Sequence, residues 1–346
     1  MRENNPLIPD DHAGDQQRDR QTQSLFQSLT PENILNAAED FLGRYLSNLC
    51  RPLNSYINRV YELEDEDGEG LIIKFYRPGR WAGEAIQEEH DFLLELARGE
   101  VPVIPPFCGG DGRTLGRLEN ISFALFPKKG GRYVDELDHE QWGMLGRLLG
   151  RAHMIGADRP CSHRPVLHPE RSTRSHVGYI LESGLVAVDL EREYEQVVST
   201  FIEIAAPIFE QVEQIRIHAD CHSGNLIFRP GEGYCLIDLD DMAMGPPVQD
   251  FWMLLPGDRL QSQSELNALL DGYEIFRDFD YTSLRLIEPL RAMRFIHYTA
   301  WCAYQMHADG TAALVPDFAT REYWLKEIRD LNDQMQIIQG EQERRL

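Results

Sequence analysis

Several things are scarce or missing in this 346-residue chain, and each absence excludes something. Basic residues are few: 34 Lys and Arg stand against 57 Asp and Glu, a net charge of −23. A field of that sign repels phosphate backbones and anionic lipid heads, so roles on nucleic acid or a membrane surface are not expected. No apolar run is long enough to span a bilayer. The N-terminus, MRENNPLIPDDHAGDQQRDRQTQ, lacks the apolar core of a secretory signal. The six cysteines are Cys50, Cys108, Cys161, Cys221, Cys235 and Cys302, and none forms a C-x-x-C pair. Zinc and dithiol redox motifs are therefore missing, and a disulfide framework is not indicated at this size. A reduced, cytoplasmic protein is the expectation.

What is present is an ordinary globular balance, 42% apolar and 26% charged. At about 150 residues per domain, two packed lobes are expected. Residues 1–24 are polar and form an expected disordered tail. Order is expected to begin at Leu29, with Thr30 as N-cap and Pro31 in the first turn. Two β-rich stretches follow, 56–63 and 71–76, separated by the acidic turn EDEDGEG; they read as a hairpin. Helical spacing of Ile86, His90, Leu93, Leu94 and Ala97 predicts a helix from about Ala82 to Arg98. Residues 121–126 read as an apolar strand and 128–131, KKGG, as a connector. The division is a nucleotide-binding lobe over 25–127 and a mainly helical catalytic lobe over 128–346. Helices are predicted over 138–155, 190–213 and from about Val248 onward, with two short strands at 225–228 and 234–237.

One constellation carries chemistry. His218-Ala219-Asp220-Cys221-His222-Ser223-Gly224-Asn225 precedes one short strand, and Ile237-Asp238-Leu239-Asp240-Asp241 follows the next. Phosphoryl transfer needs a carboxylate near the acceptor hydroxyl and oxygen ligands that hold magnesium against the nucleotide phosphates. An Asp and an Asn five positions apart on one loop can share those tasks, and an Asp after the next strand can hold the metal from the other side. The kinase loop H-R-D-x-x-x-x-N has the same Asp-to-Asn spacing, with Ala219 here in place of Arg.

The pattern H-x-D-x-H-x-x-N followed by I-D-x-x-D resembles the aminoglycoside phosphotransferase and choline kinase superfamily. The stretches PLNSYINRVYEL, IIKFYRPGRW, LIDLDDMAMGPPVQDFWMLL and LIEPLRAMRF extend the likeness to a bacterial branch that phosphorylates protein Ser/Thr, over roughly residues 29–330. The resemblance implies an α+β, bilobal protein-kinase-like fold with a small β-rich N-lobe and a larger helical C-lobe. It implies ATP as co-substrate, Mg2+ as cofactor, and protein Ser/Thr acceptors including the chain itself; the polar tail, with Thr22 and Ser24 on expected mobile backbone, is a candidate acceptor. A monomer is expected.

Its residue roles fall on this chain as follows. Asp220 faces the substrate hydroxyl as proton acceptor, and Asn225 and Asp238 coordinate magnesium. Lys74 reaches the α/β-phosphates and pairs with Glu89, with Glu88 as the alternative. Ser55 lies over the phosphates, and the backbone of 125–127 receives adenine. The chain departs from the wider kinase pattern in lacking G-x-G-x-x-G and A-P-E. Simpler roles stand beside these: His218 and His222 as packing residues, Ser55 as a turn residue, Asp240 and Asp241 as second-ion ligands or capping groups. Asp250 would cap or hydrogen-bond a helix start, a structural job, and Arg291 and Arg294 would be internal ion-pair partners. Rival functions are a metal-dependent hydrolase using His218, Asp220 and His222, a non-catalytic pseudokinase, and a small-molecule hydroxyl kinase.

Overall fold

The computed structural model describes residues 29–343, together with Phe26, but not Tyr56, Asp135, Asp258, Leu260, 310–314 and Pro316. The expected tail over 1–24, with Thr22 and Ser24, lies outside the described residues.

The N-terminal half is built on one antiparallel sheet. A first helix, α1 (Pro31–Leu42), starts where the sequence indicates: Thr30 accepts a hydrogen bond from Asn33 N at 3.2 Å, with Pro31 in the first turn. Strands β1 (Leu46–Leu53), β2 (Arg59–Asp65) and β3 (Gly70–Phe75) follow, then α2 (Gly83–Arg98), β4 (Gly116–Leu118) and β5 (Ile121–Pro127). The strand order is β1-β2-β3-β5-β4. Strand periodicity decides what each face does. Leu71, Ile73 and Phe75 point to one side and pack with Ile34 and Ala38 of α1 and with Phe123 and Leu125. Lys74 and Tyr76 therefore point to the other side, toward α2, where Tyr76, Trp81, Ile86 and Ala124 form a second small core. The polar member of the α2 stripe, His90, is buried but satisfied by Tyr76 Oη at 2.9 Å and Thr114 Oγ1 at 2.8 Å.

Two strands of this sheet escape the sequence reading, as do two short strands of the C-terminal half, 215–217 and 243–245. β1 carries Pro52 and alternates poorly, yet Pro52 is tolerated because β1 is an edge strand. β4 spans three residues, too few to show a period. The expected hairpin is present, shifted to start at Arg59.

The C-terminal half is helical: α3 (His139–Gly156), α4 (Arg174–Glu182), α5 (Glu191–Phe209), α6 (Gln249–Trp252), α7 (Gln263–Tyr273), α8 (Ile287–Asp309) and α9 (Arg321–Glu343). α4 is an element that the sequence reading omits. Four short strands interrupt the helices. β6 (Ile215–Ile217) pairs with β9 (Ala243–Gly245), and β7 (Leu226–Arg229) pairs with β8 (Gly233–Leu236). α3 begins with a capping box between Asp138 and Gln141. Among the described residues, no helix is long and apolar enough to cross a membrane.

α3 and α7 approach so closely that only glycine fits at their crossing. A Cβ on Gly146 would lie 1.9 Å from the carbonyl oxygen of Leu269, and one on Gly272 would lie 2.1 Å from that of Gly143. Both obstacles are backbone, so neither can rotate away. Gly146→Ala is expected to cost about 1–3 kcal/mol or more, since helix propensity gained is outweighed by overpacking. A urea midpoint equal to or above that of the wild type would refute this contact.

Candidate active site

The loop after β6 is held by one buried carboxylate. Asp250 accepts the backbone N–H of His218 through Oδ2 and that of Ala219 through Oδ1, each at 2.8 Å. His153 Nε2 donates to the same carboxylate at 3.0 Å, and Tyr273 Oη donates to His153 Nδ1 at 3.2 Å. Asp250 was expected to cap a helix; it anchors a distant loop instead, because α6 is only one turn long and its carboxylate reaches the unpaired amides of residues 218 and 219. The Ala219 carbonyl accepts from Gln249 Nε2 at 2.8 Å. These bonds hold Ala219 at φ 68°, a left-handed conformation that costs a non-glycine residue about 1–2 kcal/mol.

The three expected chemical residues are brought together through Ile237. Its carbonyl accepts from His218 Nε2 at 2.9 Å, and its N–H donates to the Asn225 carbonyl at 3.0 Å. Ile237 is therefore gripped on both sides, and the residue that follows, Asp238, projects from a fixed point with φ 58° and ψ 65°. Asn225 donates through Nδ2 to the Asp220 carbonyl at 2.9 Å, which leaves its Oδ1 free of hydrogen bonds among the described residues. With Nε2–H donating, His218 Nδ1 is an acceptor, and Asp220 N–H approaches it at 3.3 Å. His222 Nδ1 accepts from Gly224 N at 3.0 Å. Both nitrogens of His218 are thus engaged within the protein, and the Nε2 of His222 lies 3.5 Å from Asp220 Oδ2. This is not the ligand set of a histidine metallohydrolase, and His218 has the packing role.

Above this loop stands Lys74. Its Nζ lies 3.2 Å from Asp238 Oδ1 and 3.0 Å from Asp240 Oδ1. Burial opposes the Lys74 charge, but Asp240 and Asp238, with Glu89 farther off, outweigh it and hold the ammonium protonated far above the usual lysine range. The expected Lys74–Glu89 pair is replaced. Glu89 accepts from Arg164 Nη2 at 2.8 Å, a buried cation that also donates to the carbonyls of Ala85 at 2.7 Å and Asp240 at 2.6 Å. The alternative partner, Glu88, receives the N–H groups of Ser162 and His163. Arg164 was invisible to sequence reasoning because it lies 75 residues from Glu89 in the chain.

Asp240 is the hub of a buried ion network rather than a solvated cap. It receives Lys74, Arg80 Nη1 and, at 3.3 Å, Asn58 Nδ2. Asp241 takes the other arm of Arg80. Burial raises the Asp240 carboxyl, but Arg80, Lys74 and Arg164 together hold it well below the carboxylate range. Asn58 also accepts the Arg77 N–H at 3.0 Å, so it ties the β1–β2 loop, where Ser55 sits half-buried, to the Asp240 side of the cleft. Both Asn58 and Arg80 are functional neighbours that the sequence reading left without a task.

Asp220 is the remaining carboxylate. Arg294 Nη2 of α8 lies 2.8 Å from Oδ1, and His222 Nε2 lies 3.5 Å from Oδ2. Burial pushes this carboxyl up, but the His222 contact and the Arg294 charge outweigh it and bring it down to about 2. Arg294 is an internal ion-pair partner as expected, and its partner is Asp220 itself. Arg291 pairs with Glu288 at 3.3 Å.

The donors fit magnesium. Asp238 is 57% exposed, its carboxylate and the free Oδ1 of Asn225 are hard oxygen ligands, and a lysine stands beside them for phosphate charge. Magnesium is commonly held by one or two protein oxygens plus nucleotide phosphates, so a fuller cage of protein ligands is not required.

A kinase-like bilobal fold with this cleft defines a phosphotransferase, and the chain belongs to the phosphotransferase enzyme family (APH), whose family model matches residues 49–287. It is an ATP-dependent kinase. Among characterised relatives it is similar to stress response kinase A of Escherichia coli K12, 37% identical over 321 residues, covering 91% of this chain and 95% of that protein. It is also similar to serine/threonine protein kinase RdoA of Salmonella typhimurium, 34% identical over 314 residues, covering 90% and 94%. Among solved structures, amicoumacin kinase hAmiN in complex with AMP-PNP, Ca2+ and Ami aligns with a TM-score of 0.71 at 18% identity, covering 89% of this chain and 96% of that one. Spectinomycin phosphotransferase APH(9)-Ia in complex with ADP and spectinomycin aligns with a TM-score of 0.59 at 15% identity, covering 86% and 93%. The last two likenesses concern the fold.

Lys74→Met is expected to raise the KM for ATP and lower kcat, because Lys74 is the cation between Asp238 and Asp240. A lysine with no role in the cleft would change stability by only about half a kcal/mol. Unchanged ATP kinetics in a folded variant would remove Lys74 from the nucleotide site.

Proposed function

We propose that this kinase transfers the γ-phosphoryl group of Mg-ATP to Ser or Thr hydroxyls on proteins, including itself. The observation that carries the catalytic part is the linkage of Asp220 to Asn225 and of Asn225 to Ile237, the residue before Asp238, whose carboxylate lies 3.2 Å from Lys74 Nζ. The protein acceptor is supported by the two relatives named above, which the chain matches over nine-tenths of its length.

In this reading, residues 25–127 hold the nucleotide and 128–346 carry the acceptor. Lys74 binds the α/β-phosphates, Ser55 closes over them, and the 125–127 backbone receives adenine. Glu89 acts through Arg164, which braces the Asp240 carbonyl, and makes no ion pair with Lys74, to which it contributes only charge from farther off. Asn225 and Asp238 would hold Mg2+, which supplies charge neutralisation between the phosphates. Asp220 orients the acceptor hydroxyl in line with the γ-phosphorus and takes its proton as the new O–P bond forms, while the bond from that phosphorus to the β,γ-bridging oxygen breaks and ADP leaves. With its carboxyl near 2, Asp220 is a weak base, which suits a loose transition state in which positioning and electrostatics contribute more than proton abstraction. The protein works as a monomer in the cytoplasm, where Mg-ATP is abundant.

The test is incubation with labelled ATP, followed by mass spectrometry of the enzyme and a cell extract. Label on Ser or Thr of proteins is expected. Label only in the small-molecule fraction would replace this reading with a small-molecule hydroxyl kinase.

A further inference from the structure

Asp220 is firmly held along its backbone and loosely held by its own loop along its side chain. Its carbonyl accepts from Asn225 Nδ2 at 2.9 Å, and its N–H approaches His218 Nδ1 at 3.3 Å. At the carboxylate, both contacts to Oδ2 are long: His222 Nε2 and Asn225 Nδ2 each stand 3.5 Å away. Contacts of that length constrain direction weakly. Oδ1 is different. It has no exposed surface, and Arg294 Nη2 of α8 lies 2.8 Å from it. The approach is not aligned as a hydrogen bond, so what Arg294 supplies at Oδ1 is charge.

A carboxylate oxygen taken out of water costs free energy unless a counter-charge offsets it. Two other cation candidates stand near Asp220, and neither serves Oδ1. His222 lies on the Oδ2 side. His297, one turn along α8 from Arg294, is pushed down to about 3 by burial and is neutral. Arg294 is therefore the cation that makes this orientation of the carboxylate favourable. With Oδ1 closed, Oδ2 is the oxygen left to meet a hydroxyl. Without Arg294, the carboxylate gains by turning Oδ1 toward water, and that rotation carries Oδ2 out of place.

We propose that Arg294 is a positioning residue for phosphoryl transfer: it pins Oδ1 of Asp220 and thereby presents Oδ2 to the acceptor hydroxyl. The inference rests on the reading of Asp220 as the acceptor-facing carboxylate, and it holds for a protein or a small-molecule acceptor alike. It also keeps Arg294 apart from the nucleotide, because Lys74 pairs with Asp238 and Asp240 on the other side of the site.

The test uses the full chain, labelled Mg-ATP and a cell extract, with rates read in whichever fraction takes the label. Arg294→Gln is expected to lower kcat by about ten- to a hundredfold, the scale of a misplaced reacting group, with little change in the KM for ATP. Arg294→Lys returns the charge and should recover most of that loss. Free guanidinium should raise the rate of Arg294→Ala, whereas urea, uncharged and of similar shape, should not. A residue that only packed α8 would show neither recovery. Thermal melting shows which variants fold, and Arg294→Gln and Arg294→Ala substitute for each other in the guanidinium titration. Asp220→Ala run in parallel separates the two possible failures. If Asp220→Ala collapses turnover while folded Arg294→Gln keeps the wild-type rate, raises the KM for ATP instead, or gains nothing from lysine or guanidinium, the assignment of Arg294 is overturned and the reading of Asp220 stands. If Asp220→Ala transfers phosphate as wild type does, or wild type labels nothing, the reading of Asp220 fails first and this inference falls with it.

Discussion

Asp220→Ala is expected to lower kcat by about two to four orders of magnitude, the usual contribution of a positioned proton acceptor, while ATP affinity changes little. The reason lies in where Asp220 stands. Among the described residues its carboxylate touches Arg294, His222 and, at 3.5 Å, Asn225 Nδ2, and Lys74 is engaged elsewhere, with Asp238 and Asp240. The nucleotide contacts therefore survive its removal. The pH profile adds a sign. A carboxyl held near 2 in the folded state is depressed below its unfolded value. Any stability it contributes is present above about pH 4 and is lost as pH falls toward 2. Turnover should accordingly show no acid limb from Asp220 between pH 5 and 8. Single-turnover kinetics and calorimetric ATP binding check both halves. Near-native turnover in a folded variant would remove Asp220 from the chemistry.

Asp238→Asn is expected to collapse turnover and to abolish the magnesium dependence of ATP binding. A neutral amide cannot offset the divalent charge beside the phosphates. The variant keeps the shape of the residue, so the left-handed backbone at 238, which asparagine tolerates, is not an added cost. It also removes one of the two carboxylates on Lys74, leaving Asp240 as its partner. ATP titrations with and without magnesium separate the two effects: loss of magnesium dependence marks the metal role, and a weakened but still magnesium-dependent affinity would mark Asp238 as a partner of Lys74 alone.

Much of the site was legible in the linear chain because its key residues are close in sequence. Asp220 and Asn225 share one loop, and Asp238 follows one hairpin later. Lys74 was legible because strand alternation sends it to the face opposite Leu71, Ile73 and Phe75. Its partner was not. Glu88 and Glu89 are adjacent on α2, and either could be drawn toward Lys74 on paper. The fold gives Glu88 to the backbone at 162–163 and Glu89 to Arg164. Pairing depends on which cation arrives from elsewhere in the chain, and Arg164 arrives on a segment that has no period and no motif.

The same distinction separates what local pattern determined from what tertiary structure decided. Sequence alone determined the type of most long elements, the capped start of α1 and the family, and it marked the three residues proposed for the chemistry, because each depends on neighbours within a few positions or on a motif of fixed spacing. Tertiary structure decided the charges. Asp240 became a buried hub for Lys74 and Arg80, Asp250 became the anchor of the 218–219 amides, and Arg294 became the partner of Asp220. A carboxylate or guanidinium side chain is compatible with a surface, a cap or a buried pair. Which one it adopts depends on desolvation and on counter-ions supplied by segments dozens of residues away, and no local pattern encodes those.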